Sequence, residues 1–396
     1  MNLPKIFLLP GREKSLLRHH QWIFSGAVGK MEQPDLPPGE TVMVCSSDGQ
    51  ELAIGAYSPH SQLRIRVWSF DPREKIDAQF FRNRIADAVK LRQNLGLITE
   101  NSGCRLIYSE SDRLPGLIVD RYCDTAVVQF LCAGSEFFRE IIIGELMKLP
   151  FINCVYDRSD SPVRKKENLP VRCEVAAGKF PGEIVIDENG LLFSTDPAHG
   201  QKTGFYFDLR DARNMVRKYA RNKKVLNVFS YTGGFACAAF AGGAGSVLNI
   251  DSSAPALEQC RKNLLLNNFN ENWENRCGDA FKLLRQLSDQ GEKFDLVILD
   301  PPKLIDSRNA LMRGCRGYQD LARLGFKLLN PGGILFNFSC SGLMTPELFQ
   351  KITASAAEDA GVCGRIIART EQSPDHPTIL AIPETFYLKG LVTVIN

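Results

Sequence analysis

No stretch of this 396-residue chain approaches the ~18 uninterrupted apolar residues of a membrane helix. The N-terminus also lacks the marks of a secretory leader. Met1–Lys14 holds only the short apolar run Ile6–Leu9 and no small-residue cleavage site, so the protein is expected in the cytoplasm. Its 12 cysteines include no Cys-x-x-Cys pair. The close paired spacings of a zinc site are therefore missing, no metal is expected, and most of these thiols are expected to be reduced and buried. Internal repeats and low-complexity tracts are absent too. A strong charge of one sign is lacking: the net charge of +3 does not by itself mark a nucleic-acid binder.

What is present fits a globular protein, with 44% hydrophobic and 23% charged residues, long enough for two or three domains. Basic groups are unevenly spread. Residues 1–30 carry Lys5, Arg12, Lys14, Arg18 and Lys30 against Glu13 alone, and residues 208–224 carry seven basic groups against Asp208 and Asp211.

Three regions follow from the pattern of apolar runs and turns. In residues 1–80, short apolar stretches (Thr41–Val44, Ala53–Tyr57, Leu63–Phe70) are broken by Pro37-Pro38-Gly39, Asp48-Gly49 and Ser58-Pro59, which predicts a small all-β module. Residues 81–188 mix helical periodicity (Ile85, Val89) with strands near Leu106–Tyr108, Leu117–Val119, Ala126–Leu131 and Cys154–Tyr156, a small α+β domain. From 189 to 396, strands and helices alternate, the signal of an α/β doubly wound, Rossmann-like parallel sheet. There the turn Asn330-Pro331-Gly332-Gly333 is expected to feed a strand over Ile334–Phe338.

In such a sheet ligands bind beyond the carboxyl ends of the strands. The strand Val225–Phe229 ends in Ser230-Tyr231-Thr232-Gly233-Gly234, where glycines let the backbone pass close to a ligand. Asp251 and Asp279 end the next two strands, where carboxylates can accept from ribose hydroxyls and an adenine amino group. A nucleoside-bearing cofactor follows. The turn has no Gly-x-Gly-x-x-Gly, which disfavours a dinucleotide.

Asp300 and Cys340 each follow a strongly apolar strand. If those strands are neighbours, about 5 Å apart, both side chains reach the same edge. A thiolate there could add to carbon 6 of a pyrimidine and make carbon 5 nucleophilic, while a carboxylate orients the ring. Lys303 and Arg316 could favour the thiolate or hold a phosphate. The tetrapeptide Asp300-Pro301-Pro302-Lys303 lacks the aromatic residue on which amine methyltransferases stack a flipped base.

The motifs Ser230–Phe235, Asp300–Lys303, Cys315–Tyr318 and Phe338–Thr345, with Gly11–Leu17, Trp22–Val28, Tyr156–Asp160 and Tyr387–Gly390, resemble the bacterial 23S ribosomal RNA cytosine-C5 methyltransferases. The resemblance covers nearly the whole chain. It implies an N-terminal RNA-binding PUA domain, S-adenosylmethionine as cofactor, and 23S rRNA or a large-subunit assembly intermediate as partner. It also implies Cys340 as nucleophile and Asp300 as the acid that orients the base. Cofactor contacts are implied from Phe229, Tyr231, Thr232, Gly233, Gly234, Asp251 and Asp279, with Asp208 and Arg210 upstream. In that setting Arg12, Lys14, Arg18, Trp22, Arg158, Arg164, Lys165, Lys303 and Arg316 become candidate RNA contacts. Two departures stand out. Phe207-Asp208-Leu209-Arg210 replaces a usual Leu-Asp-Gln-Arg, and Lys303 stands near where other RNA cytosine-C5 enzymes carry a second cysteine. The alternatives are an RNA amine methyltransferase and an assembly factor with an inert methyltransferase domain.

Overall fold

The computed structural model describes residues 3–396, which group into two compact units. The first holds the chain up to Ile186 together with Thr195–Phe207 and Pro374–Thr385. It opens with β1 (Lys5–Leu8), a single helical turn α1 (Lys14–Leu17), β2 (Trp22–Phe24), β3 (Val28–Met31), β4 (Thr41–Cys45), β5 (Glu51–Tyr57) and β6 (Leu63–Ser69). These strands form one sheet in the order β2-β6-β5-β4-β1-β3. Burial alternates along β1, with Ile6 and Leu8 inward and Lys5 and Phe7 half-exposed, the period-two pattern of a strand with one wet face.

The unit continues with α2 (Ala78–Asn94), whose first turn is capped by the Asp77 carboxylate accepting from Gln79 N–H and Phe80 N–H. Then come β7 (Gly103–Tyr108), β8 (Leu117–Tyr122), β9 (Thr125–Phe130), α3 (Ala133–Phe137), α4 (Arg139–Leu146), β10 (Cys154–Asp157), α5 (Val163–Lys166) and β11 (Glu174–Gly178). Their strands form a second sheet, β11-β10-β9-β8-β7. Residues on either side of position 80 share a core. Trp68 of β6 meets Phe80, Phe81 and Phe138 edge-on, with ring centroids 5.5–6.2 Å apart. This aromatic cluster packs the two segments together.

The second unit holds Asp187–Ser194, Asp208–Ser373 and Phe386–Asn396. The hairpin of β12 (Ile184–Glu188) and β13 (Leu191–Thr195) turns at Asn189 and Gly190, both at positive φ. The chain then alternates: α6 (Arg210–Tyr219), β14 (Lys224–Val228), α7 (Gly234–Ala241), β15 (Ser246–Asp251), α8 (Ala254–Leu266), β16 (Trp273–Cys277), α9 (Ala280–Asp289), β17 (Phe294–Leu299), α10 (Leu311–Lys327), β18 (Leu329–Ser339), α11 (Pro346–Asp359), β19 (Gly364–Glu371) and β20 (Lys389–Ile395). Its sheet runs β16-β15-β14-β17-β18-β20-β19. The first five strands are parallel, and β20 inserts antiparallel between β18 and β19. Helices α6, α7 and α8 pack in series, as do α9, α10 and α11, which gives the doubly wound arrangement. Strand order reverses between β14 and β17, the switch point at which sheets of this class bind their ligands.

A buried amide ladder fixes the register of three parallel strands. Asn227 of β14 donates to Asn249 of β15 at 2.9 Å, and Asn249 donates to Asn275 of β16 at 3.0 Å. Asn275 closes the series on the Leu257 carbonyl. A one-residue slip would break every bond in it.

Contacts group Thr195–Phe207 and Pro374–Thr385 with the first unit. Asp375, fully buried, accepts from the Arg105 N–H, and its own carbonyl accepts from Arg92, which lies 283 positions away. The Asn330–Gly333 turn is instead the start of β18, where the pairing with β17 is irregular and Gly332 takes φ +75°. Among the described residues no helix is long and apolar enough to cross a membrane.

Candidate active site

The β14–α7 turn is built around left-handed backbone. Phe229, Tyr231 and Gly233 all have positive φ, at 60°, 46° and 82°. At Gly233 a Cβ would lie 2.4 Å from Cys260 Sγ, so a side chain is excluded by both conformation and space. Gly234, opening α7, is less constrained: a Cβ there would meet the Arg213 Cδ at 3.1 Å. Asp251 supports the turn directly. Its two carboxylate oxygens accept from Tyr231 N–H at 2.8 Å and Ser253 N–H at 2.9 Å. Each oxygen can accept more than one hydrogen bond, and Asp251 is half-exposed, so it can also take ribose hydroxyls. Helix α8 is capped by Ser253, not by Asp251.

Asp279 does cap its helix, accepting from Lys282 N–H at 2.9 Å, and remains exposed at the same strand edge. The Thr232 carbonyl accepts from Asn263, which braces the turn from α8. Burial next to the Asp251 carboxylate pushes the Cys260 thiol up to about 12, so this cysteine is inert packing. Upstream, Asp208 accepts from the Tyr387 hydroxyl, and Arg210 lies 3.5 Å from Glu188, whose closer partner is Arg213. Both residues are buried in the second unit.

Asp300 and Cys340 follow β17 and β18, and these strands are adjacent and parallel, as the sequence suggested. The turn after β18 is held from several sides. Ser339 and Ser341 are fully buried, and Cys340 between them is half-exposed, as alternation along extended chain requires. Ser341 Oγ lies 2.9 Å from the Tyr318 hydroxyl of α10 and accepts from Ile305 N–H. Cys340 Sγ is 4.0 Å from the Pro301 carbonyl, an acceptor that suits a thiol and repels a thiolate. A cation is therefore needed nearby if this sulfur is to ionise.

Sequence reasoning gave no individual role to that cation. Lys389, the first residue of β20, pairs with Ser339 across the sheet. It is 5% exposed, and its ammonium donates to the Ser341 carbonyl at 2.7 Å and the Tyr387 carbonyl at 2.6 Å. Burial lowers its amine to about 8; the Cys340 sulfur opposes that shift and Lys303 adds to it. Lys303 itself and Arg316 are exposed. Cys315 is half-buried and packs beside Tyr318 and Phe349, its thiol raised by burial. Among the described residues no group of His, Cys, Asp or Glu could hold a metal ion.

The candidate RNA contacts of the first unit divide. Arg12, Lys14, Arg18 and Lys165 are exposed. Arg164 is not available to a phosphate. It is fully buried, donating to the Phe130 and Pro170 carbonyls and pairing with Glu136 at 2.9 Å. Arg158 is likewise 8% exposed, spent on Asp160 and the carbonyls of Pro197 and Gly200. Trp22 donates its indole N–H to Glu110, so it can offer a ring face but not that hydrogen. In all three, a cation or donor that reads as free in sequence satisfies buried acceptors instead.

Comparison with known proteins follows the same division. The S-adenosylmethionine-dependent methyltransferase family profile matches residues 163–388, and that of a PUA-like domain matches residues 6–70. The chain is 47% identical over 388 residues to ribosomal RNA large subunit methyltransferase I of Shigella boydii serotype 4. It is 48% identical over 388 residues to the protein of that name in Escherichia coli O157:H7, and each comparison covers 98% of both chains. A solved structure of a proposed SAM-dependent methyltransferase from Streptococcus mutans covers 98% of this chain and 99% of its own, with TM-score 0.84 at 21% identity. A proposed methyltransferase complexed with SAH has the same TM-score, 0.84. These structures share the fold.

Proposed function

The chain belongs to the S-adenosylmethionine-dependent methyltransferase family, and from that premise we propose that it methylates carbon 5 of a cytosine in large-subunit ribosomal RNA through a covalent bond from Cys340. The observation that carries this reading is the placement of Cys340 and Asp300 at the ends of neighbouring parallel strands, beside the switch point of the sheet.

The second unit fits the family's cofactor. Ser230 Oγ is buried at the turn without a hydrogen-bond partner, and the Asp251 carboxylate, bonded to the Tyr231 N–H of that turn, stands half-exposed. Phe229, Tyr231, Thr232 and Gly234 complete the turn against which the nucleoside would lie. Asp251 would take the ribose hydroxyls and Asp279 the adenine amino group; Asp208 and Arg210 are assigned to the same side. Bound S-adenosylmethionine supplies a methyl group on a sulfonium, an electrophile that needs a strong carbon nucleophile.

Cytosine carbon 5 is too weak unless the ring is first activated. The Cys340 thiolate adds to carbon 6, and the electron pair of the carbon 5–carbon 6 double bond moves to carbon 5. Asp300 holds the nitrogen edge of the ring and lends ring nitrogen 3 a proton, which neutralises the negative charge that develops there and returns to the carboxylate when the sulfur leaves. Carbon 5 takes the methyl group, its proton leaves to water, and the double bond re-forms as the sulfur–carbon 6 bond breaks. Lys303, where an amine methyltransferase would have its stacking ring, weighs against an exocyclic amine as target. The PUA-like segment gives the RNA a second contact through exposed Arg12, Lys14 and Arg18, with Leu17 and Phe24 exposed alongside. Lys165, Lys303 and Arg316 are exposed, and each is assigned as a phosphate contact on its own unit.

The test uses ribosomal RNA containing 5-fluorocytidine, whose carbon 5 cannot lose a proton. A denaturation-resistant protein–RNA adduct, lost in Cys340→Ala, is expected. Methylation retained in Cys340→Ala would rule the covalent route out.

A further inference from the structure

The covalent route needs a proton acceptor for the Cys340 thiol, and the sulfur's hydrogen-bond neighbour, the Pro301 carbonyl at 4.0 Å, cannot stabilise a thiolate. Lys389 meets the requirement by geometry. Its Cα is paired with Ser339, immediately before Cys340, and its Nζ reaches the carbonyl of Ser341, immediately after it. The amine therefore spans the turn that carries the sulfur. Two backbone carbonyls, of Ser341 and Tyr387, accept from it. A neutral amine has two hydrogens and one lone pair, so both hydrogens are satisfied and the lone pair is left to take a proton. The protonated form keeps both bonds and gains the third hydrogen.

The surroundings suit an amine that changes charge near neutrality. Lys303, on the loop after β17, opposes its protonation, and Cys340 favours it. Glu371 of β19 is its register partner, and Arg369 lines the same cavity of about 340 Å³ beside Lys389. The Tyr318 hydroxyl of α10 lies on Ser341, and from α11 the cavity receives only Pro346 and Phe349. The Phe386 ring centre is 5.8 Å from Nζ.

We propose that Lys389 is the proton acceptor for Cys340, a positioning residue that generates and holds the thiolate. The S–H bond breaks, its proton moves to Nζ directly or through one water, and the sulfur keeps the electron pair that forms the bond to carbon 6. On release the ammonium returns that proton to the thiolate. This rests on the covalent reading of Cys340, but its test does not require turnover.

The experiment is the pH dependence of iodoacetamide alkylation at Cys340, followed by peptide mass spectrometry on the full chain. Lys389→Met is expected to raise the alkylation midpoint by about one pH unit or more, cutting the rate near pH 7 about tenfold. Lys389→Arg is expected to restore alkylation but not methylation, because a guanidinium supplies charge without releasing a proton near neutrality. An unchanged Cys340 midpoint in Lys389→Met, with S-adenosylmethionine binding intact by calorimetry, overturns the proposal. Should Lys389→Met not fold, Lys389→Gln keeps an amide donor for the two carbonyls, and an unchanged midpoint in that variant overturns the proposal equally. Failure of the covalent reading is read separately, as activity surviving in Cys340→Ala.

Discussion

Lys389 donates its ammonium to the carbonyl of Ser341, 48 positions earlier in the chain, at 2.7 Å. The contact exists because β20 returns antiparallel along β18, so the last strand of the protein delivers a cation to the turn that carries Cys340. Burial that would be costly for an isolated ammonium is offset there by two carbonyl acceptors.

That burial has a sign in pH. The amine titrates at about 8 in the folded protein, below the ~10.4 of unfolded lysine. Below both values it is charged in both states, and the cost of burying it is fully present. Between them the unfolded chain holds more protons, so this group lets stability rise with pH. Urea unfolding of the wild type, measured against Lys389→Met, is expected to show the wild type gaining from about pH 7.5 to about pH 9.5. A constant difference would contradict the shift.

The two turn glycines should respond unequally. Gly233→Ala places a Cβ against Cys260 Sγ at positive φ and is expected to weaken S-adenosylmethionine binding more than tenfold by calorimetry. Gly234→Ala meets the Arg213 side chain, which can shift, and should cost less than about threefold. Equal losses would mean that the turn tolerates a side chain at Gly233.

The asparagine ladder should be expensive to interrupt. Asn249→Leu leaves the Asn227 amide without its acceptor and the Asn275 oxygen with only the weak Cys260 thiol donor. A loss of about 2–4 kcal/mol is expected in urea unfolding. A change below about 0.5 kcal/mol would show that water replaces the ladder.

Arginines of the first unit should separate into two kinds. Arg164→Ala removes one of the two arginine partners of Glu136, leaving Arg172, and breaks three buried bonds to the Phe130 and Pro170 carbonyls, and is expected to cost about 3–5 kcal/mol of stability. Arg12→Ala should leave stability within about 0.5 kcal/mol and lower the salt dependence of RNA binding by about one unit of slope. The reverse pattern would move the RNA contact to Arg164.

Much of the site was legible because its parts are local. The Ser230–Gly234 turn, Asp251, Asp300 and Cys340 each sit at the end of a largely apolar strand, and Asp279 follows the more polar β16; such strand ends can be read from periodicity and glycine placement. The doubly wound class follows from the same alternation. The rest depends on partners far apart in the chain. Periodicity cannot show that Arg164 is consumed by Phe130, Pro170 and Glu136, since a basic side chain looks the same in sequence whether it faces water or a buried carbonyl. Nor can it show that Trp68 packs on Phe81, or that Asp375 belongs with Arg92 and Arg105. The sequence by itself determined which residues can do chemistry at the strand ends. Only the tertiary structure decided which cation stands beside Cys340, because strand pairing across 48 residues, not local pattern, put Lys389 there.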